Sequence, residues 1–226
     1  ASHALGASIE GAPIGGGWAD IVVLSFHAVK IITSAEGGMC LTNDDKLAAK
    51  LRLLRTHGIT RDPQLMRNPS DGPFYYEQIE LGFNYRITDI QAALGISQLQ
   101  RIAQLQAHRE RLAQRYDRLL SHLPLQPPAR IKGYVSAHHL YVIEVLGNVS
   151  RRDVFDYLRQ SGIGANVHYI PIHLQPDYAQ FGFERGMYPV SEQYYDRAIT
   201  IPLFPEMTEV QQDRVAAAIE KSLVSR

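Results

Sequence analysis

The chain has 226 residues, of which 45% are hydrophobic, and its 23 basic and 23 acidic side chains cancel when histidine is neutral. That length predicts one large or two modest domains, and the charge balance argues against a nucleic-acid surface or a basic membrane-binding face. No apolar stretch is long enough to span a bilayer, and the single Cys40 cannot form an internal disulfide, so we expect a cytosolic protein with no membrane segment.

The first strong element is a β-branched run over residues 21–24, bounded by polar and glycine residues. This pattern predicts a buried strand of a parallel sheet. Open α/β sheets bind their ligands beyond the carboxyl ends of the strands, and Lys30 falls in that place. A cofactor-binding lysine is therefore one interpretation, and a solvated loop lysine is the alternative on spacing alone.

Further elements are predicted as far as residue 119. Residues 39–42 predict a second strand, and Asn43 is a candidate N-cap for a helix with leucines on one face. Residues 57–86 show little periodicity over a length typical of a functional loop. Thr88 and Gln91 form a capping-box signature ahead of a helical pattern that runs to residue 119, with a break between residues 95 and 101. We place a domain boundary there, giving domains 1–100 and 101–226.

The second half reads as strand, helix, strand and helix, which predicts a small α+β domain. Residues 138–146 and 198–203 are the two predicted strands. The first would place the neighbours His138 and His139 on opposite faces. Ser150 and Asp153 are predicted to cap the first helix, and Gly162 to end it. Residues 208–211 repeat the capping-box pattern before the final helix.

Three segments together resemble one enzyme family. ASHALG at residues 1–6, SFHAVK followed by EGGM, and GFNYR followed by TDIQAALG resemble the DegT/DnrJ/EryC1/StrS sugar aminotransferases, which use pyridoxal phosphate (PLP) and have fold type I. SFHAVKIITSAEGGM and HYIPIHLQP are most similar to the branch that aminates C4 of a nucleotide sugar in pseudaminic acid biosynthesis. The resemblance implies an α/β fold: the carboxyl-terminal part of a PLP fold type I large domain, followed by a small α+β domain.

The resemblance also implies that the chain is the carboxyl-terminal portion of a longer protein. In the family, an acidic pair precedes the alanine of the first motif, and its aspartate contacts the pyridine ring. The sequence begins at that alanine, Ala1. We therefore expect the pyridine-contacting aspartate to stand immediately before Ala1.

Site residues follow from the same motifs. The resemblance implies that Lys30 holds PLP covalently and moves the proton of transamination, and that Ser25 binds the phosphate. It assigns His3 to the pyridine hydroxyl or to the ring face. Asn84 would reach across a homodimer to the phosphate of the neighbouring subunit's PLP, so that two chains share each active site. The alternatives are a serine that merely ends a strand, a core histidine and ordinary turn chemistry at Asn84.

Four further residues are candidates for the substrate. Tyr85 and Arg86 would lie near the sugar nucleotide, with Arg86 at the diphosphate or, alternatively, in a surface ion pair. The resemblance makes His168 and Tyr169 part of the substrate pocket. A metal site at His168 and His173 is not expected, because their spacing includes a proline and no carboxylate or cysteine completes a ligand set.

The implied reaction transfers an amino group from glutamate to the C4 ketone of a UDP-4-keto-6-deoxy-(N-acetyl)hexosamine. A dehydratase branch of the family has histidine in place of the lysine, so Lys30 argues against that branch. A non-catalytic PLP-fold paralogue or an inactive truncated fragment remains an alternative. Another fold type I enzyme, such as an aldolase or a desulfurase, is disfavoured by GFNYRITD and HYIPIHLQP.

Overall fold

A computed structural model describes residues 1–224, and the chain divides into two compact units. Unit 1 comprises Ala1–Ala103 and Gly133–Ala137, and unit 2 comprises Gln104–Lys132 and His138–Arg226, whose last two residues lie outside the described part. As a division into domains, the boundary predicted at residue 100 stays a proposal.

The described elements alternate short strands with helices. In chain order they are β1 (Ser8–Ile9), β2 (Ala12–Pro13), β3 (Val22–Ser25), β4 (Gly38–Leu41), α1 (Asp45–Leu54), β5 (Ile59–Thr60), β6 (Glu77–Gln78), α2 (Asp89–Leu99), α3 (Ile102–Leu119), β7 (Leu125–Gln126), β8 (Tyr134–Val135), β9 (Tyr141–Val145), α4 (Arg151–Gln160), a 3-10 turn (Ile172–Leu174), α5 (Pro176–Ala179), α6 (Pro189–Arg197), β10 (Ala198–Ile201) and α7 (Glu209–Val224).

Strand β3 departs from the prediction. It pairs antiparallel with β4, from Val22 opposite Leu41 to Ser25 opposite Gly38. Val22 and Leu24 are buried, whereas Val23 is 51% exposed. The predicted parallel, fully buried strand is therefore wrong for the described residues. A four-residue apolar run is compatible with either pairing, and here the chain doubles back after residue 37, so that only alternate side chains face inward.

The helix ends of unit 1 follow local side-chain chemistry. Asp44, and not the predicted Asn43, caps α1, because its carboxylate accepts hydrogen bonds from the backbone N–H of Lys46 and Leu47. The predicted capping box of α2 is confirmed, with Thr88 and Gln91 each accepting a hydrogen bond from the other's backbone N–H. Helix α2 ends at Leu99 and α3 begins at Ile102, which confirms the predicted break.

Part of the long segment predicted over residues 57–86 is ordered by one carboxylate. Glu77, at the start of β6, accepts hydrogen bonds from the backbone N–H groups of Arg67 and Asn68, at 2.6 and 2.9 Å, and from the Tyr75 hydroxyl at 2.9 Å. The Arg67 N–H is the largest cause that lowers the pKa of Glu77 to about 2. An ionised carboxylate therefore joins residues 67–68 to residues 75–77.

Unit 2 is built on a three-stranded antiparallel sheet in the order β10-β9-β7. Its core joins the inward side chains of this sheet with those of α3, α4 and α7. The large, fully buried members include Tyr116, Tyr141, Ile143, Val154, Leu158, Ile199 and Ile219. Ser150 occupies the N-cap of α4 without a side-chain cap bond, and Gly162 (φ +72°) ends the helix as predicted. Residues 208 and 211 form the predicted reciprocal bonds before α7.

The prediction that His138 and His139 lie on a strand is wrong. Both precede β9 and both are buried, and the backbone of His138 has a φ of +45°. The buried Arg109 guanidinium donates to the carbonyl oxygens of both histidines and of Leu203, at 3.0 to 3.3 Å. These two carbonyls therefore bond to a side chain of α3.

Candidate active site

The candidate site begins at a loop between β3 and β4 whose two ends are held together by the backbone of Phe26. The Phe26 N–H donates to the Gly37 carbonyl at 2.8 Å, and the Phe26 carbonyl accepts from the backbone N–H of Ser34 at 2.9 Å. Ser34 is fully buried. The loop over residues 26–37 is thus closed at its base by hydrogen bonds that involve no flexible side chain.

Lys30 lies in this loop, at the end of a turn. Its backbone N–H donates to the His27 carbonyl at 2.9 Å, and the next two residues, Ile31 and Ile32, are buried to 5% and 2% exposure. Across residues 1–224, the Lys30 ammonium has no ion-pair partner, whereas His27 and Glu36 approach to 3.6 Å on the same loop. Buried isoleucines therefore anchor the backbone, and the amine is not held by a carboxylate.

The glycine pair after the loop is required by close backbone packing. A side chain at Gly38 would place its Cβ 2.8 Å from the Leu24 carbonyl oxygen on the paired strand. A Cβ at Gly37 would clash with Ser34 Oγ and lie 3.3 Å from Ile87 Cδ1. The two glycines therefore allow the loop that carries Lys30 to close tightly at its base.

Ser25 lies at the same end of β3 as Lys30. It is half-buried, and its Oγ accepts a hydrogen bond from the His27 N–H at 3.4 Å, which leaves the hydroxyl proton able to donate. His3 is half-buried in unit 1, in the turns that precede β1. The structure thus places Ser25 directly before the loop that carries Lys30. The cofactor contacts of Ser25, Lys30 and His3 stay predictions.

Asn84 is carried by a backbone that is fixed against the end of α1. The Phe83 N–H donates to the Leu54 carbonyl at 2.7 Å, and the Tyr85 N–H donates to the Arg55 carbonyl at 2.9 Å. Asn84, Tyr85 and Arg86 are nevertheless exposed, and the Tyr85 ring stacks on Phe83 with centroids 4.8 Å apart. This segment combines a rigid backbone with side chains that are open to another molecule.

The two motif segments of unit 1 meet. Ile87, just after Arg86, lies beside Gly37, and Gly95 on α2 is so close to Ser34 that an added Cβ would be 3.6 Å from the serine Cβ. The loop that holds Lys30 therefore packs against the segment that begins with Asn84.

His168 and Tyr169 belong to unit 2. The His168 Nδ1 lies 2.8 Å from the Thr200 Oγ1 on β10, and the two aromatic rings of His168 and Tyr169 are edge-to-face with centroids 4.6 Å apart. Tyr169 is 59% exposed. Their assignment to a substrate pocket stays a prediction.

A buried histidine–glutamate pair was not found by sequence reasoning. His173 Nε2 lies 2.9 Å from Glu192 Oε1, and their side chains are only 9% and 8% exposed. The hydrogen bond from His173 is the largest cause that lowers the pKa of Glu192. An acidic residue in the first turn of a helix is common, so nothing in the sequence distinguished Glu192 from a solvated carboxylate.

Two further kinds of feature are absent from residues 1–224. No group of three or more histidine, cysteine or acidic side chains there is placed to hold a metal ion. None of the helices in this part of the chain combines the length and the apolar character that crossing a membrane requires.

Comparison with known proteins gives a consistent group of relatives. The sequence profile of the DegT/DnrJ/EryC1/StrS aminotransferase family matches residues 1–220. The spore coat polysaccharide biosynthesis protein SpsC of Bacillus subtilis is 36% identical over 207 residues, which are 88% of this chain and 53% of SpsC.

Solved structures agree over nearly the whole chain. PseC of Helicobacter pylori, an aminotransferase involved in the biosynthesis of pseudoaminic acid, superposes with a TM-score of 0.91 at 32% identity, over 100% of this chain and 59% of PseC. The PLP form of Spr1654 from Streptococcus pneumoniae gives 0.87 at 30% identity, over 99% of this chain and 57% of Spr1654. The chain thus spans somewhat more than half the length of these relatives.

Proposed function

Because the chain belongs to the DegT/DnrJ/EryC1/StrS aminotransferase family, whose members depend on PLP, we propose that it works in a nucleotide-sugar aminotransferase. Its α/β fold is that of the PLP-dependent aminotransferases. The proposed reaction moves the amino group of glutamate to the C4 ketone of a UDP-4-keto-6-deoxy-(N-acetyl)hexosamine. The similarity to PseC and the HYIPIHLQP segment support this choice of sugar.

The observation that carries the proposal is the placement of Lys30. Its loop is closed by backbone hydrogen bonds, anchored by buried Ile31 and Ile32, and open at the amine, which has no ion-pair partner in the described part of the chain. A lysine that must exchange a covalent partner in each catalytic cycle needs a fixed backbone and an amine that no carboxylate holds.

The residues present fit PLP. The Lys30 amine is available for covalent attachment, and the Ser25 hydroxyl at the same end of β3 can donate to a phosphate oxygen. When bound, PLP supplies the electron sink for the amino transfer. In the proposal Lys30 holds the cofactor and moves the proton at the donor carbon, Ser25 orients the phosphate, and His3 orients the ring.

A homodimer with a shared active site is part of the proposal, with Asn84 donating to the phosphate of the partner's cofactor. The exposure of Asn84, Tyr85 and Arg86 on a fixed backbone supports it. Helix α2 also supports it, because none of its residues is buried and its apolar side chains Ile90 and Ile96 are 84% and 60% exposed. A group of exposed apolar side chains on one helix is typical of a surface that another chain covers.

For the sugar nucleotide, we propose that Arg86 pairs with the diphosphate and that Tyr85 contacts the nucleotide. In unit 2, we propose His168 and Tyr169 as further substrate-binding residues. Arginine suits a diphosphate because its planar donors match the phosphate oxygens. We also propose a cytosolic location, on the ground that a single cysteine suits a reducing compartment.

The test compares the full-length protein with two lysine variants. After addition of PLP, the wild type should show the absorbance band of the lysine-bound cofactor, and Lys30→Ala should abolish it. Lys46→Ala removes an exposed lysine of α1 and should leave the band unchanged. A band that persists in Lys30→Ala contradicts the lysine assignment. A wild type that binds PLP but does not aminate the keto sugar nucleotide with glutamate supports the non-catalytic alternative.

A further inference from the structure

The segment over residues 168–173 is attached to the rest of unit 2 at both of its ends. At the first end, His168 Nδ1 lies 2.8 Å from Thr200 Oγ1 on β10. At the second end, His173 Nε2 lies 2.9 Å from the Glu192 carboxylate on α6. Because α6 leads directly into β10, both attachments are made to one continuous piece of chain.

The middle of the segment is open. Tyr169, Ile170 and Ile172 are 59%, 46% and 65% exposed, whereas Pro171 between them is buried. An apolar and aromatic surface is thus presented between two fixed points. Loops that bind ligands on a rigid scaffold commonly have this arrangement.

The Glu192 carboxylate holds more than His173. Its oxygens accept from the backbone N–H of Gly186 at 2.8 and 2.9 Å and from the N–H of Tyr188 at 3.3 Å, and Arg185 Nη1 lies 3.9 Å away. The Tyr188 ring in turn packs against His173 in a tilted arrangement, with centroids 4.7 Å apart. One buried carboxylate therefore fixes both His173 and residues 185–188.

The chemistry of the pair sets its geometry. An ionised carboxylate can only accept hydrogen bonds, so His173 Nε2 must carry the proton that it shares with Glu192 Oε1. Removing the carboxylate would leave a buried N–H group and two backbone N–H groups without their acceptor, and such groups are costly to leave unpaired. The segment would then lose its second attachment.

We infer that Glu192 is a positioning residue. Through His173 it fixes the 168–173 segment, so that His168 and Tyr169 are placed to contact the sugar nucleotide. This inference rests on the proposed function. Glu192 itself is buried and is not assigned a contact with substrate or cofactor.

The experiment uses the full-length protein with Glu192→Gln, which keeps the shape of the side chain and removes its charge. Glu184→Gln is the matched control, because Glu184 is an exposed carboxylate two residues before Gly186. Amide hydrogen exchange is measured at residues 170–174 and 186–188, and steady-state kinetics are measured with the UDP-4-keto-6-deoxy sugar and glutamate.

The amide in Glu192→Gln is neutral and has one accepting oxygen in place of two, so it holds His173 and the backbone N–H groups of Gly186 and Tyr188 less strongly. Amide exchange at both sites should therefore rise by at least about tenfold. The KM for the sugar nucleotide should rise about 10- to 100-fold, with a much smaller change in kcat, since a misplaced binding segment weakens substrate orientation. The affinity for PLP should not change, because Lys30, Ser25 and His3 all belong to unit 1. Glu184→Gln should alter none of these quantities.

Two results would overturn the inference: unchanged exchange, or faster exchange with an unchanged KM. If Glu192→Gln does not fold, His173→Gln replaces it. That variant keeps the hydrogen bonds from the backbone N–H groups of Gly186 and Tyr188 to Glu192. It should reproduce the faster amide exchange at residues 170–174 and the higher KM. A wild type without aminotransferase activity would instead refute the proposed function, and the exchange data would still show whether Glu192 fixes the segment.

Discussion

Removing the hydroxyl of Tyr141 tests how much of the stability of unit 2 comes from one charge-assisted hydrogen bond. Tyr141 is fully buried in β9, and its hydroxyl donates to Asp117 Oδ1 at 2.6 Å. Burial, followed by the Asp117 carboxylate, raises the pKa of Tyr141, so the hydroxyl stays protonated and donates throughout the physiological range. Arg130 Nε holds the other oxygen of the carboxylate at 2.6 Å.

Tyr141→Phe leaves the ring in place and removes only this bond. Hydrogen bonds to a charged group contribute about 1.5–3 kcal/mol, whereas those between neutral groups contribute about 0.5–1.5 kcal/mol. Tyr116→Phe is the matched control, because Tyr116 is equally buried and donates to the neutral carbonyl of Pro202 at 3.0 Å. We therefore expect Tyr141→Phe to cost more than Tyr116→Phe.

Urea unfolding of the purified protein measures the difference. A loss of about 2 kcal/mol should lower the urea midpoint by about 0.7–2 M without a change in slope. In an Asp117→Asn background the acceptor is neutral, and the cost of Tyr141→Phe should fall to about 1 kcal/mol. The reasoning is refuted if Tyr141→Phe costs no more than Tyr116→Phe, or if its cost does not depend on the charge of residue 117.

Three further outcomes are expected elsewhere. The pKa of Glu77 is about 2 in the folded chain and lies below its unfolded value of about 4.3. The stabilisation that the ionised carboxylate contributes is therefore complete above about pH 4.5 and is lost as the pH falls towards 2. Pepsin cleavage within residues 61–76 should rise over that range, and Glu77→Gln should lack the pH dependence. Gly38→Ala, whose Cβ would lie 2.8 Å from a carbonyl oxygen, should destabilise by about 1–3 kcal/mol in thermal unfolding, whereas Gly164→Ala, with open space around it, should be near neutral. Ile199→Ala removes a fully buried core side chain and should lower the unfolding free energy by about 2–5 kcal/mol, and a loss below 1 kcal/mol would argue against that core.

The sequence was most informative where structure depends on near neighbours. The capping boxes at Thr88 and Thr208 were predictable because each joins residues three positions apart. The break before α3 and the end of α4 at Gly162 are equally local. The motif that contains Lys30 also depends on nearby residues, since its loop is closed by hydrogen bonds within residues 26–37.

The predictions that were wrong involve residues whose partners are distant in sequence, or a choice between adjacent residues of similar chemistry, such as Asn43 and Asp44 as the N-cap of α1. Whether β3 pairs parallel or antiparallel depends on β4, which a short apolar run does not specify. His138 and His139 lie outside β9, and their carbonyl groups bond to Arg109, which is 29 residues before His138 and so is not visible in the local pattern. The Glu192 pair joins residues 19 positions apart, and its burial has no signature in composition or periodicity.

The most direct test of the central claim is to locate the covalent attachment of the cofactor. The full-length protein is incubated with PLP, reduced with borohydride, digested and analysed by mass spectrometry. We predict one modified peptide, with the label on the side-chain nitrogen of Lys30. A label on any other lysine, or on the amino terminus, would contradict the account.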